Sequence, residues 1–174
     1  MDPNFELKGA VYSLAAACQN GHLLVVKELL RHPKIELNKP GTNGCLPLQV
    51  AIVQQNIQII KELINHPEIN PNAVDLAQTR PLSTCSPVFI AVRKKKSEIL
   101  SLLLSHEKIN INNGRIKIDG TYETPLLLAE KNGDQGCINL LKEFLRNTNQ
   151  NKRKKWGTRM HEVIKSKFKV SKSS

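Results

Sequence analysis

The apolar residues of this chain fall in short helical stripes, and the stripes repeat. Gly21-His22-Leu23-Leu24-Val25-Val26-Lys27-Glu28-Leu29-Leu30-Arg31-His32-Pro33 lies over Gln55-Asn56-Ile57-Gln58-Ile59-Ile60-Lys61-Glu62-Leu63-Ile64-Asn65-His66-Pro67 at an offset of 34 residues. A third copy, Lys95 to His106, follows 40 residues further on, with Ile99-Leu100 and Leu102-Leu103-Leu104 in the apolar places. A fourth, Ile138 to Leu145, matches Ile57 to Ile64 if about three residues around Asp134 to Cys137 are inserted between the helices. Upstream of each copy lies a shorter apolar segment with alanine at one register: Ala17, Ala51, Ala91 and Ala129. A fixed period of this length marks a stacked array, here of four units with two short helices each.

A helix of about ten residues is marginal alone in water, so each pair must bury its apolar stripe against its neighbours. Small alanines at the shared position let helices approach closely. Pro47, Pro87 and Pro125 stand where the first helix of a unit should begin, and a missing N–H costs nothing there. Leu48, Val88 and Leu126 then open the buried face. The expected fold class is an all-α repeat solenoid of about four helix-turn-helix repeats with hairpin connections, plus a basic C-terminal tail or helix. The expected repeats span about 10–43, 44–82, 83–120 and 121–150 within a domain of residues 1–150, followed by a tail or capping helix over 151–174. Asn43-Gly44 predicts one hairpin tip, and Ile109 to Ile118 predicts a longer hairpin around Asn113-Gly114, with apolar residues alternating on both sides. Residues 70–86, with Pro71 and Pro81, read as an extended loop.

These residues resemble the ankyrin repeat family. Leu46-Pro47-Leu48-x-x-Ala51 and Thr124-Pro125-Leu126-x-x-Ala129 match the opening of the repeat, and Asn20-Gly21-His22-Leu23-x-Val25-Val26-x-x-Leu29-Leu30 matches its second half. The likeness covers about residues 10 to 146. It departs from the family where Ser13 replaces proline and where Lys95-Lys96 replaces the Gly-His turn. The resemblance implies a non-enzymatic module that holds a protein partner on a concave surface, built from hairpin tips and the exposed ends of the first helices. Carried over by register, that surface comprises Gln19, Asn20, Val53, Gln54, Arg93, Lys94, Lys131 and Asn132, with Asn43, Cys45, Thr121 and Glu123 near the tips. The style of the repeats, with His-Pro helix endings and much asparagine, also resembles small effectors secreted into host cells, whose place would be the host cytoplasm or nucleus.

Composition narrows the chemistry. Only 4% of residues are aromatic against 40% apolar, which suggests a core built mainly from Leu, Ile, Val and Ala. The repeats take up nearly all of this sequence, so no attached catalytic domain is expected within it. Cys18, Cys45, Cys85 and Cys137 lack the paired spacings of a disulfide framework or zinc site and read as reduced thiols in a cytoplasmic setting. His32, His66 and His106 recur once per repeat. Stacked helices about 8–10 Å apart separate such residues too widely for one metal ion, so the expected role is structural, with the ring bonding the last helix carbonyls. Cys18 and His22 lack a third orienting group for nucleophilic catalysis. No phosphate loop, cofactor motif, signal sequence or membrane span is expected, and a monomer is.

Charge separates the chain into two parts. The net charge is +11, of which residues 151–174, with nine basic residues and one acid, carry +8. Within the body, Arg93-Lys94-Lys95-Lys96 sets four cations side by side at a helix end, a patch suited to an acidic partner. In the tail, Lys152, Arg153, Lys154, Lys155 and Trp156 suit nuclear import, phosphate binding or simple solvation, and they open a nucleic-acid or anionic-membrane alternative. Trp156, Met160, Val163, Ile164 and Phe168 follow helical spacing among cations, a pattern equally suited to an apolar groove or to capping the last repeat.

Overall fold

A computed structural model of the chain describes residues 10–41, 44–74, 85–112, 116–118 and 121–150. Among these are eight helices. They are α1 (Ala10–Gln19), α2 (Leu23–Leu30), α3 (Pro47–Val53), α4 (Ile57–Ile64), α5 (Pro87–Arg93), α6 (Ser97–Leu104), α7 (Pro125–Lys131) and α8 over residues 135–150. The odd-numbered helices pack in one row, α1 on α3, α3 on α5 and α5 on α7, and α2, α4 and α6 form a second row beside it. The result is an all-α repeat solenoid.

Each first helix begins where the sequence stops it from beginning earlier. Pro47, Pro87 and Pro125 occupy the first turns of α3, α5 and α7. Ser86 and Thr124 cap the latter two, their hydroxyls accepting from the N–H groups of Phe89 and Leu127 at 3.3 and 3.2 Å. With Ser13 in place of proline, nothing blocks α1, which runs upstream to Ala10. The four alanines at the shared register, Ala17, Ala51, Ala91 and Ala129, are all buried in one core.

The second helices show how the fourth repeat is built, and it differs from expectation. Ile59, Ile60 and Leu63 of α4 are buried, as are Ile99, Leu100 and Leu103 of α6 and Cys137, Ile138 and Leu141 of α8. Ile138 therefore takes the place of Ile60, not Ile57, and the fourth repeat has no insertion. The cap position explains why: Asn56 accepts from the Ile59 N–H at 3.1 Å, and Asp134 accepts from the Cys137 N–H at 3.2 Å. The helix starts at the same step in both, and the likeness of the letters three residues out of phase is incidental.

Each pair turns through one residue in the left-handed region: Gly21 (φ 73°), Gln55 (φ 60°), Lys95 (φ 54°) and Gly133 (φ 64°). This conformation costs a residue with a Cβ roughly 1–2 kcal/mol. Replacing Gln55 by glycine is expected to raise stability by about 1 kcal/mol, part of the relief being offset by glycine's greater unfolded-state entropy. Thermal unfolding followed by circular dichroism checks it, and an unchanged or lower midpoint would contradict it.

The recurrent histidines close α2, α4 and α6, though not by donating to carbonyls as expected. The Nδ1 atoms of His32, His66 and His106 accept instead, from the N–H groups of Lys34, Glu68 and Lys108 at 3.3, 3.3 and 3.1 Å. The last helix carbonyls are served by backbone, as in His66 N–H to Leu63 at 3.2 Å. Beyond each turn, asparagines stitch neighbouring connections together. Asn38 donates to the Glu68 carbonyl at 3.1 Å and accepts from the Asn70 N–H at 2.9 Å. Asn72 repeats this one unit on, with Lys108 and Asn110, both at 2.7 Å. Backbone groups that a sheet would otherwise pair are satisfied by side-chain amides.

The connections contain a second departure. Residues 109–112 lie in no strand, and the expected tip at Asn113-Gly114 lies outside the described residues. Strand β1 (Ile116–Ile118) pairs antiparallel with β2 (Thr121–Glu123), Ile118 opposite Thr121, so that Asp119-Gly120 lies between the strands. Asp-Gly is as good a hairpin dipeptide as Asn-Gly, and the flanking pairing decides between them. At the first connection, Gly41 donates to the Cys45 carbonyl and Gly44 to the Gly41 carbonyl, both at 2.9 Å, with Gly44 at φ 72°. Of the segment read as an extended loop, residues 75–84 lie outside the described residues.

Candidate partner-binding surface

The register that stacks α1, α3, α5 and α7 also sets their C-terminal ends side by side. Gln19, Asn20, Gln54, Arg93, Lys94 and Lys131 are exposed there, and Val53 and Asn132 are half-buried. The row changes character along its length. The first two repeats contribute uncharged residues, and the third and fourth contribute Arg93, Lys94 and Lys131. Lys95 and Ser97 are exposed at the adjoining turn, and Lys96 is half-buried.

Three of these cations have partners within the chain. The Lys131 ammonium donates to a Glu123 carboxylate oxygen at 2.8 Å, and Glu123 itself is buried. Glu123 is thus an anchor for Lys131 and not an exposed tip residue. The Lys95 ammonium donates to the Asn132 carbonyl at 3.0 Å, tying the third inter-helix turn to the fourth. Arg93 and Lys94 enter no ion pair among the described residues. Burial holds the Cys85 thiol above its ordinary range, opposed by the charge of the Arg93 guanidinium and by a side-chain hydrogen bond between the two. Asn43 lies outside the described residues, as do Lys152, Arg153, Lys154, Lys155 and Trp156.

The titratable groups are arranged for structure. Burial pushes the Cys18 thiol up to about 12. Burial, and then a hydrogen bond to Asp134, pushes Cys137 up to about 12, so neither is a thiolate at neutral pH. The Asp134 carboxyl is lowered, first by the Cys137 side-chain bond and then by helix N–H groups. Among the described residues no three His, Cys, Asp or Glu side chains cluster as metal ligands, and no helix is long and apolar enough to cross a membrane.

One functional side chain escaped the sequence reading. Gln49 is fully buried, accepts from the Leu46 N–H at 2.8 Å and donates to the Cys85 carbonyl at 2.9 Å, joining the second repeat to the third. The signal was present: its register holds Ala15, Phe89 and Leu127 in the other repeats, so a polar residue there needs a partner.

Residues 2–75 match the family model described as ankyrin repeats (3 copies), and no curated protein matches the chain. Stacked helix pairs continue the same register beyond the matched segment to the last described helix, so the described repeats are similar throughout to ankyrin repeats.

Proposed function

We propose that this protein binds an acidic protein partner along the row of first-helix ends, with Arg93 and Lys94 as its principal charged contacts. Ankyrin repeats are generally protein–protein interaction modules, and the family is typically non-enzymatic. The observation that supports an acidic partner is the one-sided charge of the row. Arg93 and Lys94 are exposed and outside any described ion pair, whereas Lys131 is already matched to Glu123. Clustered like charges on a rigid scaffold repel one another and raise the local affinity for anions. Gln19, Asn20, Val53 and Gln54 at the neutral end offer shape and hydrogen bonds to the remainder of the partner, and the action of a secreted effector on a host protein is the setting this reading favours.

Replacing both Arg93 and Lys94 by glutamate is expected to abolish partner capture from a eukaryotic lysate while leaving the thermal midpoint nearly unchanged, because both side chains are exposed. Quantitative pull-down with the full chain checks this, and equal yields from the two proteins would remove the reading. Partner association should slow as salt rises, since the contact is between exposed charges.

A further inference from the structure

The buried registers of the first three repeats are not all buried in the fourth, at the C-terminal end of the described stack. In the first three repeats, Ala15, Gln49 and Phe89 share a register that faces the next repeat, and all three are buried. Leu127 holds that register in the fourth repeat and is 41% exposed. Leu126 and Phe144 of the same repeat are half-buried. At a second register, Cys18, Ile52 and Val92 are fully buried, whereas the fourth repeat has Glu130, paired with Lys142 at 3.1 Å with both side chains about half exposed. The end face is therefore an apolar strip bordered by an accessible carboxylate. It is not shaped for another repeat, which would have to bury that carboxylate in an apolar seam.

We propose that residues 156–168 of the same chain lie on this face as an antiparallel helix, with Trp156, Met160, Val163, Ile164 and Phe168 over Leu126 and Leu127 and the intervening cations towards Glu130. Three observations support this occupant. The segment follows closely in sequence on the last described residue of α8, so no long linker separates it from this face. Thirteen residues of helix span about 20 Å at 1.5 Å per residue, close to the length of α8. Its apolar stripe and net positive charge match a strip of leucines edged by an acid. The concave row is a poor alternative seat, because Arg93 and Lys94 repel a segment of the same sign. Intramolecular docking also needs little intrinsic affinity, since the tether supplies a high effective concentration.

Trp156 is the only tryptophan in the chain, so its fluorescence reports the docking directly. In the full-length protein its emission is expected to be blue-shifted and shielded from acrylamide relative to the urea-unfolded chain, and unchanged on dilution. Leu127→Lys should release it, as should Val163→Asp, which leaves the described repeats untouched. Leu24→Lys, at an 82% exposed site on the first repeat, should not. Far-UV circular dichroism of each variant confirms that the repeats stay folded. Emission already red-shifted and quenchable in the unmodified protein would overturn the proposal, as would shielding that survives both Leu127→Lys and Val163→Asp. Shielding lost on dilution would assign the face to a second copy. Shielding that appears only with phosphatidylserine vesicles or duplex DNA would assign the segment to those ligands, and either result overturns the intramolecular assignment.

Discussion

Replacing Phe89 by alanine is expected to lower the stability of the protein by about 4 kcal/mol, within the range for emptying a buried aromatic site. Among the described residues Phe89 is the largest fully buried side chain, with 2% of its surface exposed. It sits in α5, the helix that touches both α3 and α7, and it holds the register through which one repeat meets the next. The loss therefore falls on an interface between units as well as within one. Stability in such an array is a sum of unit terms and neighbour terms, so weakening a central neighbour term should also reduce cooperativity. Urea unfolding monitored by circular dichroism measures both. The midpoint should fall and the transition should broaden, and a loss below about 2 kcal/mol would show that α3 and α7 collapse into the vacated space.

The second large effect concerns the same register one repeat earlier, and the simple expectation there has the wrong sign. Leucine at position 49 would add apolar surface to a buried seam, worth up to about 2 kcal/mol by area. The amide it removes, however, satisfies the Leu46 N–H and the Cys85 carbonyl. Each buried group left without a partner costs about 1–3 kcal/mol, so the pair outweighs the gain. Gln49→Leu is expected to destabilise by about 2–3 kcal/mol in the same urea experiment. A neutral or stabilising result would mean that water or a backbone shift replaces both bonds, and that the glutamine does not join the repeats.

The registers that could be read from the sequence are those with a strict steric requirement. Within a helix proline is tolerated only in the first turn, and alanine recurs where two helices touch, so Pro47, Pro87 and Pro125 mark three of the first helices and Ala17, Ala51, Ala91 and Ala129 mark all four. The fourth repeat was misaligned because Ile138 to Glu143 resembles Ile57 to Glu62 letter by letter, whereas the structure obeys the cap at Asp134. The histidines were recognised as structural, but whether an imidazole donates or accepts depends on the turn that follows it, which periodicity does not describe. Asn113-Gly114 and Asp119-Gly120 are both good turn dipeptides, and strand pairing across the connection selects the second. At the candidate surface, the exposure of Arg93 and Lys94 follows from helix register alone. The engagement of Lys131 by Glu123 does not, because it depends on how the ribbon returns to α7.

The ion pair between Glu130 and Lys142 bears on how such a chain can lengthen over evolutionary time. Duplicating an internal unit such as α3 with α4 would copy a seam that buries no charged side chain. Appending a unit after α8 would trap a charged couple between dry surfaces, an arrangement that is weakly stabilising at best and strongly destabilising if one member loses its partner. Growth is thus open from within and closed at the terminus, and longer descendants of this protein should keep their acidic and basic pair in whichever unit comes last.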